Sequence, residues 1–325
     1  MRLTISLIII LFIGTLSCSK EDDQYKIYDG FNIYLLKDEN VTAYKTSEQE
    51  ISNLELQIRP WVSSDDIEYY DYSTHILYLN HELLISDNAA SDISVYGKPF
   101  VVIVNGERQY LGAIWPGFSS SMFFGPVINV APRVYPDDII HISLEQYSFQ
   151  QSQDLRENDE IRYALINTSK YHAGLECTVD TIEILDNNQE NNTCTLKYTY
   201  TIRNNDIFNL LIFDPDKMGS GLFHYFTNGV YLRNENNLYQ STTGHTSPDP
   251  WNSWELNWLS LILSGDSITK TVIKTGYPFI PSGSYDCYFR FPTLSHQLSK
   301  EERILPDGRI WIGKLHVMKS FDIQF

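Results

Sequence analysis

The cleanest pattern in the chain is a strict alternation over residues 194–203. Cys194, Leu196, Tyr198, Tyr200 and Ile202 fall on one parity, and Thr195, Lys197, Thr199, Thr201 and Arg203 on the other. Successive side chains of a strand point to opposite faces, so this is a strand buried on one side only. The same parity returns in 285–291, where Tyr285, Cys287, Phe289 and Phe291 share a face. Apolar runs over 31–36, 75–79, 139–144, 179–185 and 207–213 predict further strands, as does 310–317 after the turn Pro306-Asp307-Gly308. Asn105-Gly106 separates 100–104 from 109–115. Both residues tolerate positive φ, which makes this the strongest hairpin signal in the chain. Helical patterning is scarce. A short helix is expected over 80–85, and another carries Ile161, Ala164 and Leu165 after a cap at Asn158 or Asp159.

These elements divide the chain. Residues 25–148 mix strands with short helices, an α+β domain. Residues 149–176 are polar around a helix, with Gly174 closing the segment, and predict a helical linker. Residues 177–325 read as a β-sandwich with an insertion near 214–260, so the whole is mainly β.

Arg2 followed by the apolar run 3–13 has the layout of a signal peptide over residues 1–17. The run is well short of the roughly 20 residues a spanning helix needs. Thr15-Leu16-Ser17-Cys18 resembles the lipobox of bacterial lipoproteins, with the leucine one place late. Ser19-Lys20-Glu21-Asp22-Asp23 resembles the acidic export signal of Bacteroidetes-type surface lipoproteins. The resemblance implies acylation of Cys18, an acidic tether over 18–24, and a membrane partner reached through that lipid. It places the chain at the outer membrane, facing the cell exterior.

Two further resemblances concern fold. Val62 to Ile67, then Gly97 to Gly106, then Gly125-Pro126-Val127-Ile128 are similar to the periplasmic head subdomain of the SecD translocase subunit. That implies a fold for 25–148 and no activity, since the translocase's membrane helices are absent. Tyr285-Asp286-Cys287 resembles the tyrosine corner of immunoglobulin-like domains, where a tyrosine stands two before the second cysteine. It implies an immunoglobulin-like sandwich and a Cys194–Cys287 disulfide; Cys177–Cys194 is the alternative, and an odd thiol remains either way.

The formal net charge of −17 at pH 7 argues against nucleic acid as a partner. No nucleophile elbow, zinc spacing, phosphate loop or dinucleotide fingerprint is present, and the eight histidines are scattered singly. The chain therefore reads as a non-enzyme with no cofactor and no metal. Asp65-Asp66, Asp137-Asp138 and Glu301-Glu302 are adjacent pairs, which a strand would send to opposite faces, so they read as turn and edge residues. Asp214-Pro215-Asp216 is either a turn or a set of calcium ligands. Asp180-Thr181-Ile182 and Asp266-Ser267-Ile268 resemble short O-glycosylation sites of Bacteroidetes secreted proteins.

Half of the six tryptophans, Trp251, Trp254 and Trp258, fall within one loop rich in Pro, Ser and Thr. They are either a platform for a sugar or partner, or aromatics packed on the sandwich. The expectation is a binding protein whose ligand is a glycan or an envelope protein. The other reading is an assembly or inhibitor protein acting through its β edges, and an unrecognised hydrolase stands third.

Overall fold

The computed structural model describes residues 28–82, 93–120, 123–131, 134–144, 154–292 and 298–324. The signal peptide, Cys18 and the tether lie outside the described residues, as does the second half of the helix expected over 80–85. The fold is mainly β. No helix among the described residues is long and apolar enough to cross a membrane.

Eight strands make the first sheet: β1 (Phe31–Leu35), β2 (Ile67–Asp71), β3 (Ile76–Leu79), β4 (Lys98–Val104), β5 (Glu107–Pro116), β6 (Pro126–Ala131), β7 (Ile139–Leu144) and β8 (Tyr171–His172). Their order is β1-β4-β5-β6-β7-β3-β2-β8, curled into a half-barrel. The β4–β5 turn is the predicted one: Asn105 and Gly106 have φ of 50° and 87°, the two positive values a tight hairpin of this twist requires. β4 is apolar on both parities because the sheet is covered on both faces. Phe100, Val102 and Val104 join one cluster, and Val101 and Ile103 another that includes Leu36 and Leu54.

The segment expected to be a linker belongs to this unit. Helix α2 (Asp159–Asn167), the second after the short α1 (Ala43–Thr46), lays Ile161, Ala164 and Leu165 into the same cluster as Phe100. Burying its Ile and Leu stabilises the docking by about 1.5–3 kcal/mol each. The Asn158 side chain accepts from the Ile161 amide at 2.8 Å, capping the helix. The chain then returns as β8, parallel to β2.

The remaining strands are β9 (Leu175–Asn188), β10 (Thr193–Asn204), β11 (Leu210–Phe213), β12 (Val230–Arg233), β13 (Leu238–Tyr239), β14 (Leu259–Ile262), β15 (Ser267–Tyr277), β16 (Gly283–Phe291), β17 (Ile304–Leu305), β18 (Gly308–Ile310) and β19 (Leu315–Ile323). They form sheets β15-β10-β9, β13-β12-β16-β19 and β14-β11-β18-β17. The first two pack face to face: the ring of Tyr200 on β10 lies 5.1 Å from that of Phe289 on β16. Both alternating runs bury the parity that the sequence predicted.

Several details differ from expectation. Residues 214–260 are not an insertion beside the sandwich, since β12 pairs directly with β16. Helices α3 (Pro215–Met218) and α4 (Ser220–Thr227) precede it, and Phe223 stacks on Tyr200. The strand expected over 310–317 is broken at 311–314, where Trp311 and Ile312 plug the junction between the two halves.

Cys177, Cys194 and Cys287 are free thiols. Cys177 stands opposite Ile202, at the far end of β10 from Cys194. That is eight residues, or about 26 Å at the rise of a strand. Cys194 and Cys287 lie on strands of the two facing sheets, and neither thiol is bridged. The tyrosine corner itself is formed: Tyr285 Oη donates to the Pro281 carbonyl at 2.7 Å. It closes the corner without a disulfide.

The halves share a core. Ile76, Tyr78 and Ile139 of the first sheet join the large cluster of the sandwich. Polar ties flank them: Trp311 Nε1 donates to Asp71 at 3.2 Å, Arg303 pairs with Asp138, and His172 Nδ1 lies 2.8 Å from Asp206. The guanidinium of Arg309 rests over the ring of Phe208 at 3.6 Å.

Candidate functional site

The three tryptophans do not make one platform. Trp251 is 76% exposed, whereas Trp254 and Trp258 pack against the sandwich core. The Trp258 ring stands edge-on to Phe226 at 6.4 Å, and the Trp258 carbonyl accepts from Asp214. The cause is the 3-10 turn Leu256–Trp258, which carries the chain straight into β14 and folds the indole inward. A large aromatic gains more from that contact than from water.

Asp214 and Asp216 hold no open cation cage. Lys270 Nζ sits 2.8 Å from Asp214 and 2.6 Å from Asp216, so an ammonium already occupies the space calcium would take. Asp214 also accepts from the Asp216 amide as the cap of α3. Of the adjacent acidic pairs, Asp66 and Glu302 close capping boxes with Ser63 and Ser299, as turn residues do. Asp138 instead is buried against Arg303, a role that pairing in sequence did not reveal.

One group among the described residues has metal-ligand proximity: His75, Asp154 and Glu157 place three ligand atoms within 4.8 Å of one another. Burial, followed by the charge of Arg156, holds His75 well below the usual imidazole range, so it is neutral. Its Nδ1 meets the Tyr70 hydroxyl at 3.0 Å. The Arg156 guanidinium grips both oxygens of Asp154, with Nη2 at 2.6 Å from Oδ2. That fixed cation occupies the coordination space and repels a second one, so the cluster reads as an ion-pair network.

The outer face of β13-β12-β16-β19 has a different character. The parity that buries Tyr285, Cys287, Phe289 and Phe291 turns Asp286, Tyr288 and Arg290 outward. Register aligns Tyr231 with Tyr288 and Tyr288 with Met318, one row across three strands. Arg290 faces His316 in the next row, and Arg233 faces Asp286 on the other side. With the turn at Asn234 to Asn237, Glu235 included, as a rim, Tyr231, Arg233, Tyr288, Arg290, His316 and Met318 line a depression of about 880 Å³. Two other depressions, near Leu56 and near Asn80, measure about 390 and 460 Å³. Strands about 4.8 Å apart make the tyrosine–methionine row roughly 10 Å long.

Arg290 and Lys314 both lie near His316. Arg290 raises the local potential at both Lys314 and His316. Burial, then Arg290 and Lys314, push His316 down to about 4, so its ring is neutral at pH 7. Burial and Arg290 likewise lower Lys314. The sequence could have offered this surface, because the alternation that marks the buried parity also names the exposed one. What hid it was the break at 311–314, which obscures the parity of His316 and Met318.

Lys274 is the other unusual group. It is 1% exposed, and its ammonium has no hydrogen-bond partner among the described residues. Burial lowers it to about 8. The two serine and threonine positions that resemble glycosylation sites, Thr181 and Ser267, are exposed.

Comparison with known protein families, with curated proteins and with solved structures returns no match.

Proposed function

We propose that this chain is a lipid-anchored binding protein of a bacterial outer membrane, facing the cell exterior, and that it takes a glycan on the outer face of β13-β12-β16-β19. The observation that carries the reading is the depression of about 880 Å³ lined by Tyr231, Tyr288, Arg233, Arg290 and His316. Sugar recognition needs flat apolar faces for the pyranose C–H groups and directed donors for its hydroxyls. A row of two tyrosines and a methionine supplies the first, and two arginines with the amide rim supply the second. The sequence features around Cys18 support the address. Dual or triple acylation there gives stable anchoring, because each buried methylene adds about 0.8 kcal/mol.

The test is affinity electrophoresis of the detergent-solubilised full chain through gels carrying different polysaccharides. Tyr288→Ala and Met318→Ala are expected to abolish retardation in the gel that slows the wild type, with melting temperatures unchanged. Trp251→Ala is expected to run like the wild type. Retardation that survives Tyr288→Ala but is lost in Trp251→Ala would move the site to the tryptophan loop and end this reading.

A further inference from the structure

We propose that the unit built on the first sheet rests on a lipid bilayer through an aromatic tip formed by Tyr44, Val95, Tyr96, Phe118 and Phe124. The inference rests on the lipid-anchored reading above and adds a second contact between the anchored chain and its membrane. It starts from two stretches of sequence. Residues 117–125 read Gly-Phe-Ser-Ser-Ser-Met-Phe-Phe-Gly, and 93–97 read Ile-Ser-Val-Tyr-Gly. Neither carries a charge, in a chain where 20% of residues do.

The fold brings these loops together. The Ser119 hydroxyl donates to the Val95 carbonyl at 2.6 Å, which joins the loop after β5 to the one before β4. Helix α1 lies against the same place. The Tyr44 amide donates to the Tyr96 carbonyl at 3.3 Å, and the two rings stand 6.0 Å apart. Beneath them Ala43, Trp115 and Phe123 pack in one cluster, the rings of Trp115 and Phe123 being 6.1 Å apart. The outer side chains have not joined that core: Phe118 and Phe124 are 69% and 62% exposed, and Tyr44, Val95 and Tyr96 are exposed beside them. Contiguous exposed apolar surface marks an interaction site.

The length of chain before the fold identifies what covers it. Cys18 precedes Tyr28, the first described residue, by ten positions, so a lipid there holds the unit within about 35 Å of the bilayer at full extension. The tip stands at the end of β4 away from that entry, since Phe31 pairs with Val104 and Leu35 with Phe100. From Val104 back to Gly97 is about 24 Å along the strand, inside the reach of the tether. A tethered surface is met at high effective concentration, and the bilayer is the surface this unit meets throughout. Phenylalanine and tyrosine suit its interface, one burying its ring and the other keeping its hydroxyl among the headgroups. Loops without charge suit it too, because a charge carried into it must be desolvated. The net charge of −17 favours zwitterionic over anionic lipid.

The experiment floats the chain from residue 18 onward, with Cys18→Ser so that no lipid anchors it, on vesicles of phosphatidylcholine and phosphatidylethanolamine. That form keeps every residue of the described fold. A result on it bears on the tip alone, and acylation of Cys18 is read separately from the mass of the mature protein. The expected result is flotation with the vesicles, lowered about tenfold by Phe118→Ser and by Phe124→Ser, the lower end of what burying one phenylalanine is worth. Both side chains are exposed, so neither change should move Tm. Trp251→Ser and Tyr288→Ala are expected to float as the wild type does. A chain that stays at the bottom of the gradient, or floats equally well after both phenylalanine changes, would overturn the proposal and leave the anchor and the glycan site standing. Flotation lost in Trp251→Ser instead would overturn it by moving the membrane contact to the sandwich.

Discussion

Replacing Lys274 by methionine should stabilise this protein, which is the reverse of the usual outcome for a core substitution. On β15, Lys270 and Lys274 both face inward. Lys270 meets two carboxylates and Lys274 meets none among the described residues. A buried, unpaired ammonium is costly, and burial lowers its pKa from the usual 10.5 to about 8. At about 1.36 kcal/mol per pH unit the drop corresponds to roughly 3 kcal/mol. Because the folded state binds its proton less tightly than the unfolded state, the cost is full below pH 8 and disappears as pH rises to 10.5. Methionine keeps an unbranched chain of similar length and leaves no polar atom behind. Urea denaturation of both proteins at pH 7, 9 and 10.5 should therefore show Lys274→Met more stable by about 1–3 kcal/mol at pH 7, with the difference shrinking toward zero at the highest pH. A difference independent of pH would mean that packing, not charge, sets it. A variant less stable at pH 7 would show that the amine has a partner after all, and the reasoning would fail.

Two other predictions concern the frame. Arg303→Leu leaves Asp138 buried without its cation between the halves, and should cost about 3–5 kcal/mol in denaturant unfolding; Asp138→Asn in the same background should recover part of that. The thiols of Cys194 and Cys287, pushed up to about 11 and about 12 by burial, should resist iodoacetamide at pH 8 in the native protein and react fully in urea. Mass spectrometry of the unreduced protein should find no bridge between them.

What the sequence made readable was local. The alternation in 194–203 and 285–291, the Asn105-Gly106 turn and the Asn158 cap each involve residues within a few positions of one another, and each formed as patterned. What it concealed depends on distant partners. The pairing of β8 with β2 rests on two residues about a hundred positions further along the chain, so the segment around it looked like a linker. Asp138 and Arg303 are separated by 165 residues, and nothing near either announces the other. The tryptophans illustrate a subtler limit. Their spacing suited both a platform and a packed turn, and only the presence of Phe226 beneath Trp258 decided the matter. The outer face of β16 lies between these cases: its parity was readable, but its neighbours Tyr231 and Met318 come from strands more than fifty residues before and about thirty after.

The most direct test of the central claim is hydrogen exchange on the full chain, with and without a saturating polysaccharide that retards it. Glycan binding on this face should concentrate protection in the peptides of β12, β16 and β19 and in the turn at Asn234 to Asn237, with the loop around Trp251 unchanged. Protection confined to that loop, or to the first sheet, would contradict it.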